Sequence, residues 1–115
     1  MLPSQARVRR GADFAATIAH GRRARRGSVV VHLRRRETPR GTARAGFIVN
    51  KGVGTAVIRN KVKRRLRHIA AERLGDWPAD IDVVVRALPQ SCRADFSQLA
   101  SDVDAAVAAI GRRRS

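Results

Sequence analysis

The run Ala56–Arg67, Ala-Val-Ile-Arg-Asn-Lys-Val-Lys-Arg-Arg-Leu-Arg, sets seven cationic or amide side chains among apolar residues at helical spacing. At about 100° per residue, Ile58, Val62, Leu66 and Ile69 gather on one stripe, and Arg59, Asn60, Lys63, Arg64 and Arg67 fall on the adjacent arc. Such a helix needs a core for its stripe, so the chain must fold into a layered body that carries this segment on its surface. Anchored that way, the guanidinium groups sit on a rigid frame and can meet an RNA backbone without first losing much freedom.

The charge is as uneven as it is large. The formal net charge is +16, which makes a polyanion the natural partner. Residues 1–67 hold 19 Lys or Arg against Asp13 and Glu37 (19 − 2 = +17), whereas residues 68–115 hold 6 against 7 (6 − 7 = −1). Apolar periodicity accompanies the positive charge, which argues against a disordered basic tail in the middle of the chain. At 115 residues the chain reads as one RNA-binding domain, with an ordered core over about 7–110 and basic tails at both ends. Met1–Arg10 is either a solvated tail or an arm that orders on RNA.

Three Phe, one Trp and no Tyr leave the core to aliphatic side chains and make aromatic stacking on bases sparse. Cys92 is the single cysteine, so neither an internal disulfide nor a cysteine-based zinc site within one chain is available, and no disulfide-linked partner is expected. A reducing cytosol suits it. No run approaches the roughly 20 apolar residues of a membrane span, and the first residues lack a signal-peptide core; a cytoplasmic protein with no membrane partner is expected.

Along the chain, Ala12–His20 has helical spacing at Phe14, Ala15, Ile18 and Ala19 and stops at Gly21. Arg22–Arg26 reads as a short edge strand, Ser28–Arg35 as a buried strand, Thr38–Gly41 as a turn and Arg44–Asn50 as the next strand, the short connection suggesting an antiparallel hairpin. Thr55 is the expected N-cap of the basic helix, which runs to about Leu74 and ends at Gly75. A loop at Asp76–Pro78 leads to a strand from Ile81 to about Arg86. A last helix follows, with Phe96, Leu99, Val103, Val107 and Ile110 on one face and Gly111 closing it. The pattern predicts an α+β or α/β sandwich with helices on a small sheet.

Catalytic chemistry by protein groups has little support. A protein nuclease needs metal-binding carboxylates or an oriented general base. Asp80 and Asp82 can share a strand face, but flanking a buried strand with charge is the simpler role. His20, His32 and His68 are scattered, with no obvious carboxylate nearby in sequence to orient them. Gly52-Val53-Gly54 lacks the Lys-Ser or Lys-Thr of a nucleotide-binding loop and reads as a glycine turn into a helix, with backbone N–H groups able to accept a phosphate. Trp77 reads as a cover on the core edge.

The order of residues is more specific than their charge. Lys51-Gly-Val-Gly-Thr-Ala-Val-Ile-Arg-Asn-Lys-Val-Lys-Arg-Arg-Leu-Arg67 resembles the signature of the bacterial ribonuclease P protein subunit, Lys-x-x-Gly-x-Ala-Val-x-Arg-Asn-Arg-x-Lys-Arg-x-x-Arg. The resemblance extends to Arg10–Phe14, His20-Gly21, the Asp80–Arg86 strand and the final helix, roughly Arg7 to Ile110. It implies an αβββαβα sandwich with a small mixed sheet and a left-handed βαβ crossover, a hand opposite to the general rule. It also implies that Lys51, Arg59, Asn60, Lys61, Lys63, Arg64 and Arg67 contact a catalytic RNA subunit, Lys61 standing where the family usually has Arg. A cleft between the central helix and the sheet would hold the 5′ leader of precursor tRNA, lined by Phe14, Ile18, His32 and Phe47, with Ile18 and His32 where relatives often carry aromatics. The implied activity is endonucleolytic removal of the leader, with the chemistry on the RNA and its Mg²⁺ and no catalytic or metal-binding residue on the protein. A structural rRNA-binding or ribosome-assembly protein would share the charge and the helix. A DNA-binding module would need base-reading residues and a dimer interface, which the sequence does not suggest.

Overall fold

The computed structural model describes residues 6–8, 11–36 and 42–113. The turn expected at Thr38–Gly41, most of the Met1–Arg10 arm and Ser115 lie outside them. The elements are α1 (Gly11–His20), β1 (Arg22–Arg26), β2 (Val29–Arg35), β3 (Arg44–Ile48), α2 (Ala56–Arg73), β4 (Ile81–Ala87) and α3 (Phe96–Arg113), with short 3₁₀ turns at Lys51–Val53, Leu74–Asp76 and Pro89–Arg93. This is the expected αβββαβα order.

The sheet runs β1-β2-β4-β3. β1 and β2 form an antiparallel hairpin closed by Gly27 and Ser28, and Gly27 has φ 54°, the positive value that such a tight turn requires at its first position. A Cβ on Gly27 would also come within 2.5 Å of the Asp102 carboxylate. The expected hairpin between the second and third strands is not present: β4 lies between them, antiparallel to β2 and parallel to β3. The reason is burial. Six of the seven residues of β4 are buried, including Asp82 and Val84 on its second face, and a strand covered on both faces is best placed centrally.

On one face, Val31, Leu33, Val83 and Val85 meet Val62, Leu66 and Ile69 of α2 and Leu99, Val103 and Ile110 of α3, forming the main core. α2 covers the β3 end of the sheet and α3 the β1–β2 end. α1 lies on the opposite face. α3 continues through Gly111 to Arg113 instead of stopping there, because the fully buried Ile110 anchors its last turn and one helical glycine costs only about 1 kcal/mol. Trp77 packs against the core, as its sequence position suggested. Among the described residues, no helix is long and apolar enough to cross a membrane.

Candidate nucleic-acid interface

α2 begins at Thr55, whose extended backbone and Oγ1, accepting from the Ile58 N–H at 3.4 Å, cap the first turn. Val62, Leu66, Ile69 and Ala70 are its buried residues. Ile58, placed on the apolar stripe by spacing, is 37% exposed, because the first turn projects past the core it was expected to join. The stripe therefore starts one turn later. Arg59 and Lys63 are half-buried, and Asn60, Arg64 and Arg67 are exposed. Lys61 is exposed too, about 60° beyond Arg64 and so at the edge of the arc farthest from Lys63. Arg65 turns inward, where its Nη1 donates to the Ala94 carbonyl at 2.9 Å. Lys51 lies exposed in the turn that feeds α2, and the Asn50 side chain accepts from the Gly52 N–H at 3.2 Å.

Beside this arc is a cavity of about 160 Å³ lined by Arg7, Val8, Phe14, Ala45, Gly46, Phe47, Lys63 and Arg67. The chain before α1 forms one wall: Arg7 bridges to Ala45, and Val8 N–H donates to the Ala45 carbonyl at 3.0 Å. Phe14 of α1 closes over β3, where a Cβ on Gly46 would come within 2.5 Å of the ring, so that close approach requires glycine. A glycine inside a strand pattern is the signal that could have pointed to this contact. Arg7, Val8 and Ala45 carried no comparable signal.

Of the leader-cleft residues expected from sequence, Phe14 and Phe47 line this cavity and Ile18 and His32 do not. His32 shares a row of the sheet with Val84 and Gly46, about 10 Å from the glycine across two strand spacings. It is 2% exposed, and neither ring nitrogen has a protein partner. Burial, then the charges of Arg86 and Arg23, hold its pKa below 6.5, so the ring is neutral at neutral pH.

The acidic pair takes structural roles. Asp80 pairs with Arg35 at 2.9 Å. Asp82, fully buried, accepts from Arg36 at 2.6 Å, from Arg44 at 2.8 and 2.7 Å and from Arg34 at 3.3 Å. Asp13 reaches Arg34 and Arg44 from α1 at 3.7 and 3.5 Å. Burial alone would push the Asp82 pKa up, but the hydrogen bonds and charges of Arg44 and Arg36 outweigh it and hold the carboxylate below its ordinary range. Against the sequence expectation, His68 does have a carboxylate beside it, Glu72 at 3.5 Å one helical turn on, but the pair is exposed, the ring lies edge-on to Phe96 at 5.2 Å, and no second histidine joins it. Among the described residues, no three His, Cys, Asp or Glu side chains are placed to share a metal ion.

The arrangement is a rigid cationic helix face that shares Lys63 and Arg67 with an aromatic-walled cavity. Comparison with known proteins agrees with its sequence signature. The ribonuclease P family model matches residues 2–111. The ribonuclease P protein component of Streptomyces bikiniensis is 53% identical over 114 residues, covering 93% of each chain. Among solved structures, a Staphylococcus aureus RNase P protein mutant superposes with a TM-score of 0.79 at 25% identity, covering 87% of this chain and 83% of that one. The RNase P protein of Thermotoga maritima superposes with a TM-score of 0.73 at 28% identity, covering 84% and 90%. The chain therefore belongs to the bacterial ribonuclease P protein family, the protein subunits of the endoribonuclease that matures the 5′ end of tRNA.

Proposed function

We propose that α2 docks the catalytic RNA through Arg59, Asn60, Lys63, Arg64 and Arg67, with Lys51 and Lys61 at its flanks, while the adjoining cavity receives the 5′ leader of precursor tRNA. The observation that carries this reading is the shared position of Lys63 and Arg67. They belong to the cationic arc of α2 and also line the cavity with Phe14 and Phe47. An arc that neutralises phosphate thus runs directly into walls on which a base can stack, an interaction worth about 1–3 kcal/mol per base. His32 and Ile18 lie outside the cavity, and their part in leader binding would be on the α1 side of the sheet.

In this reading the RNA and its Mg²⁺ supply the activation of water for in-line attack at the leader junction, leaving a 5′ phosphate on the tRNA. The protein's own groups bind, orient and neutralise, acting in the cytoplasm. Each phosphate they neutralise releases counterions, so the protein matters most at low Mg²⁺ and its binding weakens with salt.

Reconstitution tests this. The folded protein added to bacterial ribonuclease P RNA and precursor tRNA at low Mg²⁺ should stimulate 5′ cleavage; no stimulation overturns the reading, and cleavage by protein alone overturns the assignment of the chemistry to RNA. Replacing Arg59, Arg64 and Arg67 with Ala should weaken binding to the RNA subunit and lower its salt dependence by about one unit per lost phosphate contact. Unchanged affinity in that folded variant rejects α2 as the docking face.

A further inference from the structure

β1 is a second cationic surface. Its sequence is Arg-Arg-Ala-Arg-Arg, and all four arginines are exposed while Ala24 is buried. Among the described residues the strand is the outer edge of the sheet, next to β2 in the strand order. Alternation divides its side chains. Ala24 packs into the core on the α3 side, so Arg22 and Arg26 flank that face. Arg23 and Arg25 point to the other face, in register with His32 and Val30. Arg23 is close enough for its charge to depress the His32 pKa. The edge is therefore a ridge with two cations on each side.

Its position separates it from α2. β1 and β3 are the two ends of the sheet, three strand spacings or about 14 Å apart, and α2 packs at the β3 end. The cavity that opens beside β3 is at that same far end. Five register pairs with β2 hold the ridge straight, and α3 supports it from behind. Asp102 of α3 is engaged at the hairpin turn, where Ser28 N–H and Oγ donate to it at 3.0 and 2.7 Å and Gln98 Nε2 at 2.8 Å.

We propose that the β1 ridge is a second docking surface for the catalytic RNA, set between the two backbone strands of a double-helical segment. Cations on one side only would suit a single strand; cations on both sides of a narrow edge address two phosphate strands at once, which suits an A-form RNA helix, recognised by shape and backbone contacts across its wide, shallow minor groove. Arg23 and Arg25 repeat at about 6.8 Å along the strand, commensurate with the step between successive backbone phosphates. A preorganised array of four arginines, added to the contacts of α2, suits the partner that stays bound through turnover more than the substrate that must leave. The proposal rests on the reading of this chain as the subunit that binds a catalytic RNA.

The test uses the full chain with arginines replaced by Gln in two pairs, Arg22→Gln with Arg26→Gln and Arg23→Gln with Arg25→Gln, and in all four. Circular dichroism and thermal melts check the fold, and the α2 triple-Ala variant is measured in parallel. With bacterial ribonuclease P RNA alone, each pair should lower the slope of log K against log salt by roughly two units and the quadruple variant by roughly three to four, with affinity falling about tenfold or more. Arg→Lys replacements should restore most of the slope. Loss confined to one pair overturns the two-strand geometry. A weaker KM for long-leader precursor tRNA with unchanged RNA-subunit affinity assigns the ridge to the leader and overturns the proposal. Unchanged RNA binding together with self-association leaves the arginines as guards against edge pairing, which also overturns it. If the α2 variant weakens binding and the β1 variants do not, this inference alone fails; if neither does, the RNA-docking reading itself fails.

Discussion

α2 and α3 are both 18 residues long, yet they relate to the rest of the molecule in opposite ways. α3 buries Leu99, Ala100, Val103, Ala106, Ala109 and Ile110, and Asp102 ties it to the β1–β2 turn. α2 buries four residues and carries seven Lys or Arg against the single carboxylate Glu72. Like charges on neighbouring helical turns repel, so α2 is held less by its own surface than by the core beneath it. Stability and recognition are thus assigned to different helices. The mutually repelling cations of α2 persist because α3 and the sheet hold the fold.

The largest expected effect comes from truncating the supporting helix. Leu99 is fully buried between α3 and the sheet, and Leu99→Ala should cost about 2–5 kcal/mol, read as a fall in the urea midpoint. Arg64→Ala, on the exposed arc of α2, should stay within about 0.5 kcal/mol. Equal losses from the two variants would break the division between the helices.

A smaller effect should follow from the α3 tie. Burial alone would raise the Asp102 pKa, but the Ser28 hydroxyl and N–H and the Gln98 amide outweigh it and hold the carboxylate below its ordinary 3.8. Because the folded pKa is depressed, the stability from this contact is present above pH 3.8 and is lost as pH falls through the folded value. Asp82 follows the same sign. Asp102→Asn should therefore cost about 1–3 kcal/mol near neutrality, flatten part of the acid limb of the stability curve and speed amide exchange at Ser28. Unchanged Ser28 exchange would show that the hairpin turn does not depend on α3.

Local periodicity was a reliable guide to the elements. The four arginines around Ala24 marked an edge strand, and the basic helix lay where its cap and spacing put it. Strand order was less legible. The short link between β2 and β3 suggested a hairpin, and only the burial of both faces of β4 shows why that strand separates them. For the same reason the Asp82 cluster could not be read in advance: Arg34, Arg44 and Asp82 become neighbours only once β4 pairs with both strands. The cavity was legible in part. Phe14 and Phe47 were expected, whereas Arg7 and Val8 reach it through a bridge to β3 that no spacing rule encodes.

The smallest effect lies at the start of α2, where the two roles can be set against each other. The Thr55 cap is long at 3.4 Å, and Val57 and Ile58 in the first turn are 78% and 37% exposed. Thr55→Ala should therefore cost only about 0.5 kcal/mol, at the low end for a lost cap. Thr55→Asp keeps a capping oxygen and adds negative charge to a first turn that has no acidic residue, which should stabilise the helix by about 0.5 kcal/mol. That carboxylate would stand one turn before Arg59, where an RNA phosphate is expected, and would repel it. A thermal melt and an RNA titration of this variant should move in opposite directions, with higher stability and weaker binding. If both rise together, the first turn of α2 serves the fold alone, and the docking face begins at Lys63 instead of at the helix start.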